Sequence, residues 1–209
     1  IGGTVGAMTL TDNILAAWVS VANVLGTTNN GYAYTTAPLG GYSAPFNTTL
    51  ALNTEVVNWT FNIRTSAPTT GFLAGQNEAA VVLTSTDADV RGTGSGYAVI
   101  YNPAAPAGLQ LVRFTGGLTG AITPIISTST SALVAATNYA SVRVLYDPFS
   151  DTWRLYLRDD GPGVFSDPST GVTTLIGSAV DATFTGTAAT HFGFYGNYSL
   201  LYTSFVPDA

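Results

Sequence analysis

A chain of 209 residues, with a formal net charge of −6, 46% hydrophobic and only 9% charged residues, suits a single all-β domain with a sizeable core. It has no lysine, and its few arginines are scattered and outnumbered by twelve acidic residues, so no basic stripe for a nucleic acid is expected. The lack of cysteine and the single His191 exclude disulfides, thiolate metal sites and sites that need two imidazoles. No apolar run approaches the roughly 20 residues of a membrane-spanning helix, so we expect no membrane insertion.

The N-terminal segment, residues 1–44, allows two interpretations. TDNILAAWVSVANVLG fits either a helix capped by Asp12 and ended by Gly26 or an edge strand that carries Trp18. We interpret it as strand and loop that pack on the rest of one domain spanning residues 1–209. The stretch that follows, TTNNGYAYTTAPLGGYSAPFNTT, is rich in turn-forming residues but also contains aromatic side chains that can pack.

Period-two alternation begins at EVVNWTFNIR, where Trp59 shares one face with other apolar residues while Asn58 and Thr60 lie on the opposite face. This pattern predicts a half-buried strand with Trp59 in the core. Further along, GYAVIYN and GLQLVRF flank the turn-forming NPAAPA, and we predict that they pair as a hairpin.

The clearest signal is YASVRVLYDPFSDTWRLYLRDDG, residues 139–161, which alternates, turns at a proline and alternates again. Pro148 fixes φ, and Asp147 can cap the turn with its own side chain. Trp153 belongs to the apolar face of the return strand. The hairpin is therefore predicted to be half core and half solvent, with a polar side rich in arginine and tyrosine that is available to a partner.

The remaining apolar runs, TLIGSAVDATF, THFGFYGNYS and LLYTSFV, are short and separated by glycine. Strands thus recur about every ten residues to the end, and no helical period is sustained after residue 30. This spacing predicts an all-β fold, an antiparallel two-sheet β-sandwich of the jelly-roll type.

Four strings together resemble the successive strands of concanavalin A-like lectin and glucanase domains, also called laminin-G-like jelly rolls. They are VNWTFNIRT, GYAVIYNPAAPAGLQLVRFTGG, residues 139–161 and THFGFYGNYSLLYTSFV. The resemblance covers residues 45–206 and is greatest to versions found in secreted or surface proteins of Bacteroidetes. It implies two stacked antiparallel sheets of about six or seven strands each, with glycans bound on a concave face, and export by the type IX secretion route.

Glycan binding uses aromatic faces that stack on sugar rings and planar amide or guanidinium groups that bridge hydroxyls. Six residues supply such groups if they line the concave sheet. These candidates are Tyr97, Tyr101, Asn102, Arg113, Tyr156 and Tyr195. The alternation itself does not say which face is concave.

Calcium is a candidate ion, because hard cations take clustered oxygen ligands and the chain has two acidic loops. Asp87 with Asp89 forms the preferred candidate, ahead of Asp159 with Asp160 and Asp167. Turn chemistry with exposed acids is the alternative explanation of both loops. The calcium and manganese pair of legume lectins is not expected, because the E-x-D strand and the later histidine that hold it are missing.

Enzymatic activity is not expected. Glucanases of the resembled family carry E-x-D-x-x-E, whose two carboxylates perform a double displacement, but neither Glu55 nor Glu78 has a second acid at that spacing. A hydrolase that uses Asp87 and Asp89 is the alternative. There is no G-x-S-x-G, and His191 is better explained as a packed strand residue than as a general base.

These observations lead to a non-catalytic module that binds glycans or acts in adhesion, located outside the cell or at its surface. The low charge and the abundance of threonine and glycine also favour a secreted or surface protein. The alternatives are a structural subunit that assembles with neighbouring surface proteins through open strand edges and an atypical glycoside hydrolase.

Overall fold

The structure is a computed structural model that describes residues 19–22, 30–38, 47–63, 78–101, 108–128, 138–163, 167–168, 170–171 and 173–199. Within these ranges it contains eleven strands and one 3-10 turn at Leu50–Leu52. The strands in chain order are β1 Val19–Ala22, β2 Asn30–Pro38, β3 Val57–Ile63, β4 Glu78–Ser85, β5 Gly96–Tyr101, β6 Leu109–Thr115, β7 Ala121–Ser127, β8 Tyr139–Asp147, β9 Thr152–Gly161, β10 Thr174–Val180 and β11 His191–Ser199.

The strands form two sheets in which every pairing is antiparallel. One sheet has seven strands in the order β1-β2-β11-β4-β5-β6-β7, and the other has four in the order β10-β9-β8-β3. The prediction of an all-β, antiparallel two-sheet sandwich is confirmed. The described part of the second sheet has fewer strands than the six or seven that the resemblance implies.

Both predicted hairpins are present. β5 pairs with β6, from Gly96 opposite Phe114 to Tyr101 opposite Leu109. β8 pairs with β9, and the turn between them is capped as predicted, because the backbone N–H of Phe149 donates to Asp147 Oδ1 at 3.0 Å.

Three strands lie where the sequence shows a weak strand signal or a different one. β4 reads EAAVVLTS, and its middle is buried on both faces, so it shows no alternation. β7 contains Pro124 and is largely exposed, which fits the edge position it occupies. β2 falls inside the stretch that was predicted to be turn-rich; it pairs with β1 and β11 and extends the large sheet.

The N-terminal segment contributes β1 and β2, while Trp18 lies outside the described residues. The run LLYTSFV, at residues 200–206, also lies outside them. The assignment of residues 1–209 to one domain stays a prediction. Among the described residues, no helix has the length and apolar character needed to cross a membrane.

The core between the two sheets is built around aromatic rings. Trp153 is fully buried, and its ring stacks on Trp59 at a centroid distance of 5.9 Å. Tyr97 from the large sheet lies 4.4 Å from the same ring, and Tyr146 lies 4.8 Å from it. The prediction that both tryptophans belong to the core is confirmed.

The large sheet is also buried on its other face, where a second apolar cluster has formed. Its members come from four strands and from two connecting loops. They are Ala80, Val82, Val90, Ala98, Ile100, Val112, Phe114, Leu118 and Tyr195, each no more than 7% exposed. Among the described residues, no such apolar cluster covers the outward face of the four-stranded sheet.

Backbone hydrogen bonds join the loop after β4 to the loop after β6. Leu118 N donates to Val90 O at 2.8 Å, and Gly117 N donates to Gly94 O at 2.7 Å. Gly117 has a φ of +73°, and a Cβ there would lie 2.0 Å from Arg91 O. The close approach of the two loops therefore requires glycine at this position.

Candidate functional site

The outward face of the four-stranded sheet, called the outer face below, follows directly from the period-two pattern. On β3, β8, β9 and β10, the residues that alternate with the core residues point away from the core, and two of them, Asn62 and Ser141, are themselves buried. They are Asn58, Thr60, Asn62, Ser141, Arg143, Leu145, Arg154, Tyr156, Arg158, Leu175 and Ser178. This polar and aromatic face was predicted for the 139–161 hairpin, and the flanking strands β3 and β10 widen it.

The centre of the outer face is a row of four residues in register. Thr60 lies opposite Arg143, Arg143 opposite Tyr156, and Tyr156 opposite Leu175. Arg143 is exposed, Tyr156 is half-buried, and the guanidinium carbon of Arg143 lies 5.8 Å from the centroid of the tyrosine ring. This distance is within the range of a cation–π interaction, which orders both side chains.

A second row lies one pleat along the sheet, where Leu145 is opposite both Asn58 and Arg154. Ser178 of β10 completes this row beside Arg154. Within the described residues, Arg154 has no carboxylate partner. The outer face therefore presents the Arg154 guanidinium and the Ser178 hydroxyl in the row next to Tyr156, with the Asn58 amide at the other end of that row.

The end of the outer face is fixed by an ion pair. Arg158 is paired with Asp160, whose side chain is only 2% exposed. Asp160 also accepts hydrogen bonds from Asn62 Nδ2, at 3.2 Å, and from the Ser141 hydroxyl. Arg158 further donates to the carbonyl oxygen of Asp167 at 3.2 Å. These contacts hold Arg158 in place, so its charge is already compensated.

The six glycan-binding candidates do not gather on one surface. Tyr97 is fully buried in the core between the sheets, so its ring does not face a ligand, and this part of the prediction is corrected. Tyr195 is 3% exposed and belongs to the apolar cluster on the other side of the same sheet. Alternation places both tyrosines on one face of a strand, but it does not show whether another part of the chain covers that face. Tyr156 is the candidate that lies on the open outer face.

Two further candidates stay predictions. The backbone of Tyr101 ends β5, but the structure does not describe its side chain. Asn102 lies outside the described residues.

Arg113 is bound to an aspartate that the sequence did not single out. Its guanidinium forms an ion pair with Asp181, the residue directly after β10. Tyr97 donates its hydroxyl proton to Asp181 Oδ1 at 2.8 Å, and Trp153 donates its indole N–H to the Asp181 carbonyl oxygen at 3.0 Å. Arg113 therefore ties the two sheets together. In the sequence, the sign that points to this role is Asp181 itself, an acidic residue that interrupts the apolar run TLIGSAVDATF.

The surroundings of Asp181 shift the ionisation of two side chains. Burial tends to raise the pKa of Asp181, but hydrogen bonds from Thr183 N–H, Tyr97 and Arg113 outweigh this, and the net pKa lies below its usual value. Burial raises the pKa of Tyr97 far above its usual value, and the hydrogen bond to Asp181 adds to this effect. Asp181 is thus a carboxylate and Tyr97 a neutral phenol at neutral pH.

The loop with Asp87 and Asp89 does not fit a calcium ion. Asp87 Oδ1 accepts the N–H of Asp89 at 2.9 Å, and Asp89 Oδ1 accepts the N–H groups of Arg91 and Gly92 at 3.0 Å. In the described part of the chain, no three histidine or acidic side chains come together, whereas calcium takes six to eight oxygen ligands. The two carboxylates shape their own loop, which is the turn chemistry that the sequence left open.

Asp151 and His191 also have structural partners. Asp151 Oδ1 accepts the hydroxyl of Tyr146 at 2.6 Å and that of Thr185 at 3.0 Å. His191 Nδ1 lies 2.9 Å from the hydroxyl of Thr190, its neighbour in the chain. The arrangement as a whole is suited to binding through an open, ordered sheet face.

These observations define the class of protein as an antiparallel β-sandwich with one covered sheet and one open sheet.

No protein-family model matches the chain, and no curated protein matches it. Solved structures to which it is similar include a legume lectin-like domain from Entamoeba histolytica, at 6% identity and a TM-score of 0.48, covering 88% of this chain and 82% of that one. Another is lectin I from Ulex europaeus in complex with the methyl glycoside of α-L-fucose, at 14% identity and a TM-score of 0.46, covering 88% and 79%. Lectin II from Ulex europaeus has 15% identity and a TM-score of 0.43, covering 87% and 79%.

Proposed function

We propose that this chain is a non-catalytic module that binds a glycan on the outer face of its four-stranded sheet. The observation that supports the proposal most directly is the pairing of Tyr156 with Arg143 in the middle of an open face. An aromatic ring offers its surface to the C–H groups of a sugar, and a guanidinium can donate two hydrogen bonds to neighbouring hydroxyls. Asn58 and Ser178 add polar groups at the margin of this site.

The module has a site that is formed before the ligand arrives. Its side chains lie on paired strands rather than on loops, and Arg158 is fixed by Asp160 and Asp167. A preformed site loses little conformational freedom on binding, which favours affinity for flexible polysaccharides. We further propose that the module acts outside the cell or at its surface, in glycan binding or adhesion. The low fraction of charged residues supports this location.

Replacement of Tyr156 by alanine tests the proposal. Because the ring is half-buried on an open face, its loss removes the stacking surface and leaves the core between the sheets intact. We expect Tyr156→Ala to weaken glycan binding about tenfold, because loss of a central aromatic contact typically costs more than about 1 kcal/mol, and about 1.4 kcal/mol is a factor of ten. The measurement is a glycan array followed by calorimetric titration of the best ligand.

Phe149→Ala is the matched control for this experiment. Phe149 is 79% exposed in the β8–β9 turn and does not belong to the outer face, so its removal should leave binding unchanged. Thermal unfolding of both variants checks that each is folded. Equal binding by Tyr156→Ala and the wild type would reject the outer face as the site, and a folded wild-type protein that binds no glycan would reject the function.

Assembly with neighbouring copies is a second candidate, favoured by the edge of the smaller sheet. Among the described strands, β10 is an edge strand; it reads TLIGSAV, has no charge or proline, and has Val180 71% exposed. Such an edge can pair with another strand. If copies assemble through this edge, sedimentation experiments should detect an oligomer, and Val180→Lys should disrupt it. The control Leu52→Lys, at a 64% exposed position away from the sheets, should leave the oligomer intact. A monomer at all concentrations tested would remove this candidate.

A further inference from the structure

The outer face is positively charged, whereas the chain as a whole is negative. Of the chain's six basic residues, three lie on this face, on the two central strands of the smaller sheet: Arg143, Arg154 and Arg158. Asp160 neutralises Arg158. Arg143 and Arg154 have no carboxylate partner within the described residues, so this part of a chain with a formal net charge of −6 leaves two positive charges uncompensated.

The two uncompensated arginines are neighbours on the sheet. Arg143 is in register with Tyr156, and Arg154 precedes Tyr156 by two residues on the same strand. Residues in this diagonal relationship on antiparallel strands lie about 7–8 Å apart, within the reach of long side chains. Two guanidiniums at this spacing repel each other in the free protein. A ligand with negative groups removes that repulsion, and each guanidinium can bind a carboxylate or sulfate with two parallel hydrogen bonds.

The two positive charges specify which kind of glycan binds, and this inference rests on the proposed function. We propose that the glycan is acidic, a polysaccharide whose carboxylate or sulfate groups bind Arg143 and Arg154 while one of its sugar rings lies on Tyr156. Leu145 and Leu175, which flank these residues, provide apolar surface on either side of the ring. Leu145, Leu175 and Tyr156 carry no charge, so the anionic groups of the glycan bind to the two arginines.

A nucleic acid fits this face less well than an acidic glycan does. Duplex DNA carries one negative charge per roughly 1.7 Å of its length, and its affinity for proteins depends on several basic contacts. Here two arginines are available, and the acidic remainder of the chain would repel so dense a polyanion. An acidic polysaccharide has a lower charge density and offers sugar rings for Tyr156, which agrees with a face that combines few charges with a half-buried aromatic side chain.

The test compares matched pairs of polysaccharides. An array presents uronic-acid and sulfated polysaccharides beside their carboxyl-reduced and desulfated counterparts, and duplex DNA is included as a second polyanion. We expect the protein to bind the acidic members, to bind them more weakly as the salt concentration rises, and to prefer them to DNA. The double variant Arg143→Gln/Arg154→Gln should lose about tenfold or more in affinity for the acidic members, since hydrogen bonds to charged groups are the strong ones.

A control variant separates local from overall charge. Leu52→Glu/Thr187→Glu lowers the net charge by two units, as the arginine double variant does, but at exposed positions outside the four-stranded sheet. It should bind acidic glycans like the wild type. Equal binding of acidic and neutral counterparts would overturn the acidic ligand and leave the proposed function standing. Tighter binding of DNA would also overturn it, and a blank array would reject both proposals.

Discussion

Replacing Trp153 by alanine should lower the free energy of unfolding by about 3–5 kcal/mol, the cost of emptying a large aromatic site in a packed core. Trp153 is fully buried, and its ring contacts Trp59, Tyr97 and Tyr146 at centroid distances of 5.9, 4.4 and 4.8 Å. Since Tyr97 belongs to the other sheet, the substitution weakens the contact that joins the two layers. Urea unfolding followed by circular dichroism measures the effect.

Two further variants make the Trp153 result specific. Trp153→Phe keeps an aromatic ring but loses the indole N–H that donates to Asp181 O, and we expect it to be less destabilising than alanine. Phe149→Ala removes a 79% exposed ring from the same hairpin and should change stability by less than about 0.5 kcal/mol. A loss of under about 1 kcal/mol for Trp153→Ala would contradict the central position of this ring in the core.

The second large effect is expected at Asp181. Its carboxylate accepts hydrogen bonds from Tyr97, Arg113 and Thr183 N–H and is only 8% exposed as a residue. Asp181→Ala leaves these donors without their acceptor, including a partly buried guanidinium. Removal of one partner from a buried ion pair typically costs about 3–5 kcal/mol, and a value near the lower end is expected here because the Arg113 side chain is 34% exposed. The free energy of unfolding in urea is again the measurement.

The lowered pKa of Asp181 gives this prediction a dependence on pH. The folded state holds the carboxylate ionised at pH values where the unfolded state, with a pKa of about 3.9, begins to bind a proton. The contribution of Asp181 to stability is therefore fully present above that pKa and is lost as the pH falls through the lower pKa of the folded state. Asp181→Asn should lack this component, so its stability should fall less steeply below pH ~4. Parallel curves for wild type and variant would contradict the assignment.

Much of the fold could be predicted from residues 139–161, because alternation on a two-stranded hairpin determines which side chains face a core. Trp153 alternates with Arg154 on β9, Tyr146 alternates with Leu145 on β8, and both aromatic residues are buried, as their spacing requires. The strands β4 and β7 were harder to recognise. A strand covered on both faces shows no alternation, and an exposed edge strand with Pro124 resembles a turn.

The candidate site could be predicted only in part. Tyr156 and Tyr97 both alternate with apolar residues along a strand, yet one lies on the outer face and the other is fully buried. Tyr97 is buried because it faces the smaller sheet across the core, and Tyr195 is buried by the second apolar cluster, to which distant loops contribute Val90 and Leu118. No period within one strand carries information about a loop that packs on it from elsewhere in the chain.

The sequence by itself determined the all-β class, the two hairpins and the division of residues 139–161 into an apolar and an arginine–tyrosine face, because these depend on the period of a strand and on local turn chemistry. The tertiary structure decided which sheet face stays open, that Arg113 is bound by Asp181, and that Arg143 lies beside Tyr156. Those outcomes depend on register and on contacts between residues far apart in the chain, which are fixed only when the sheets pack.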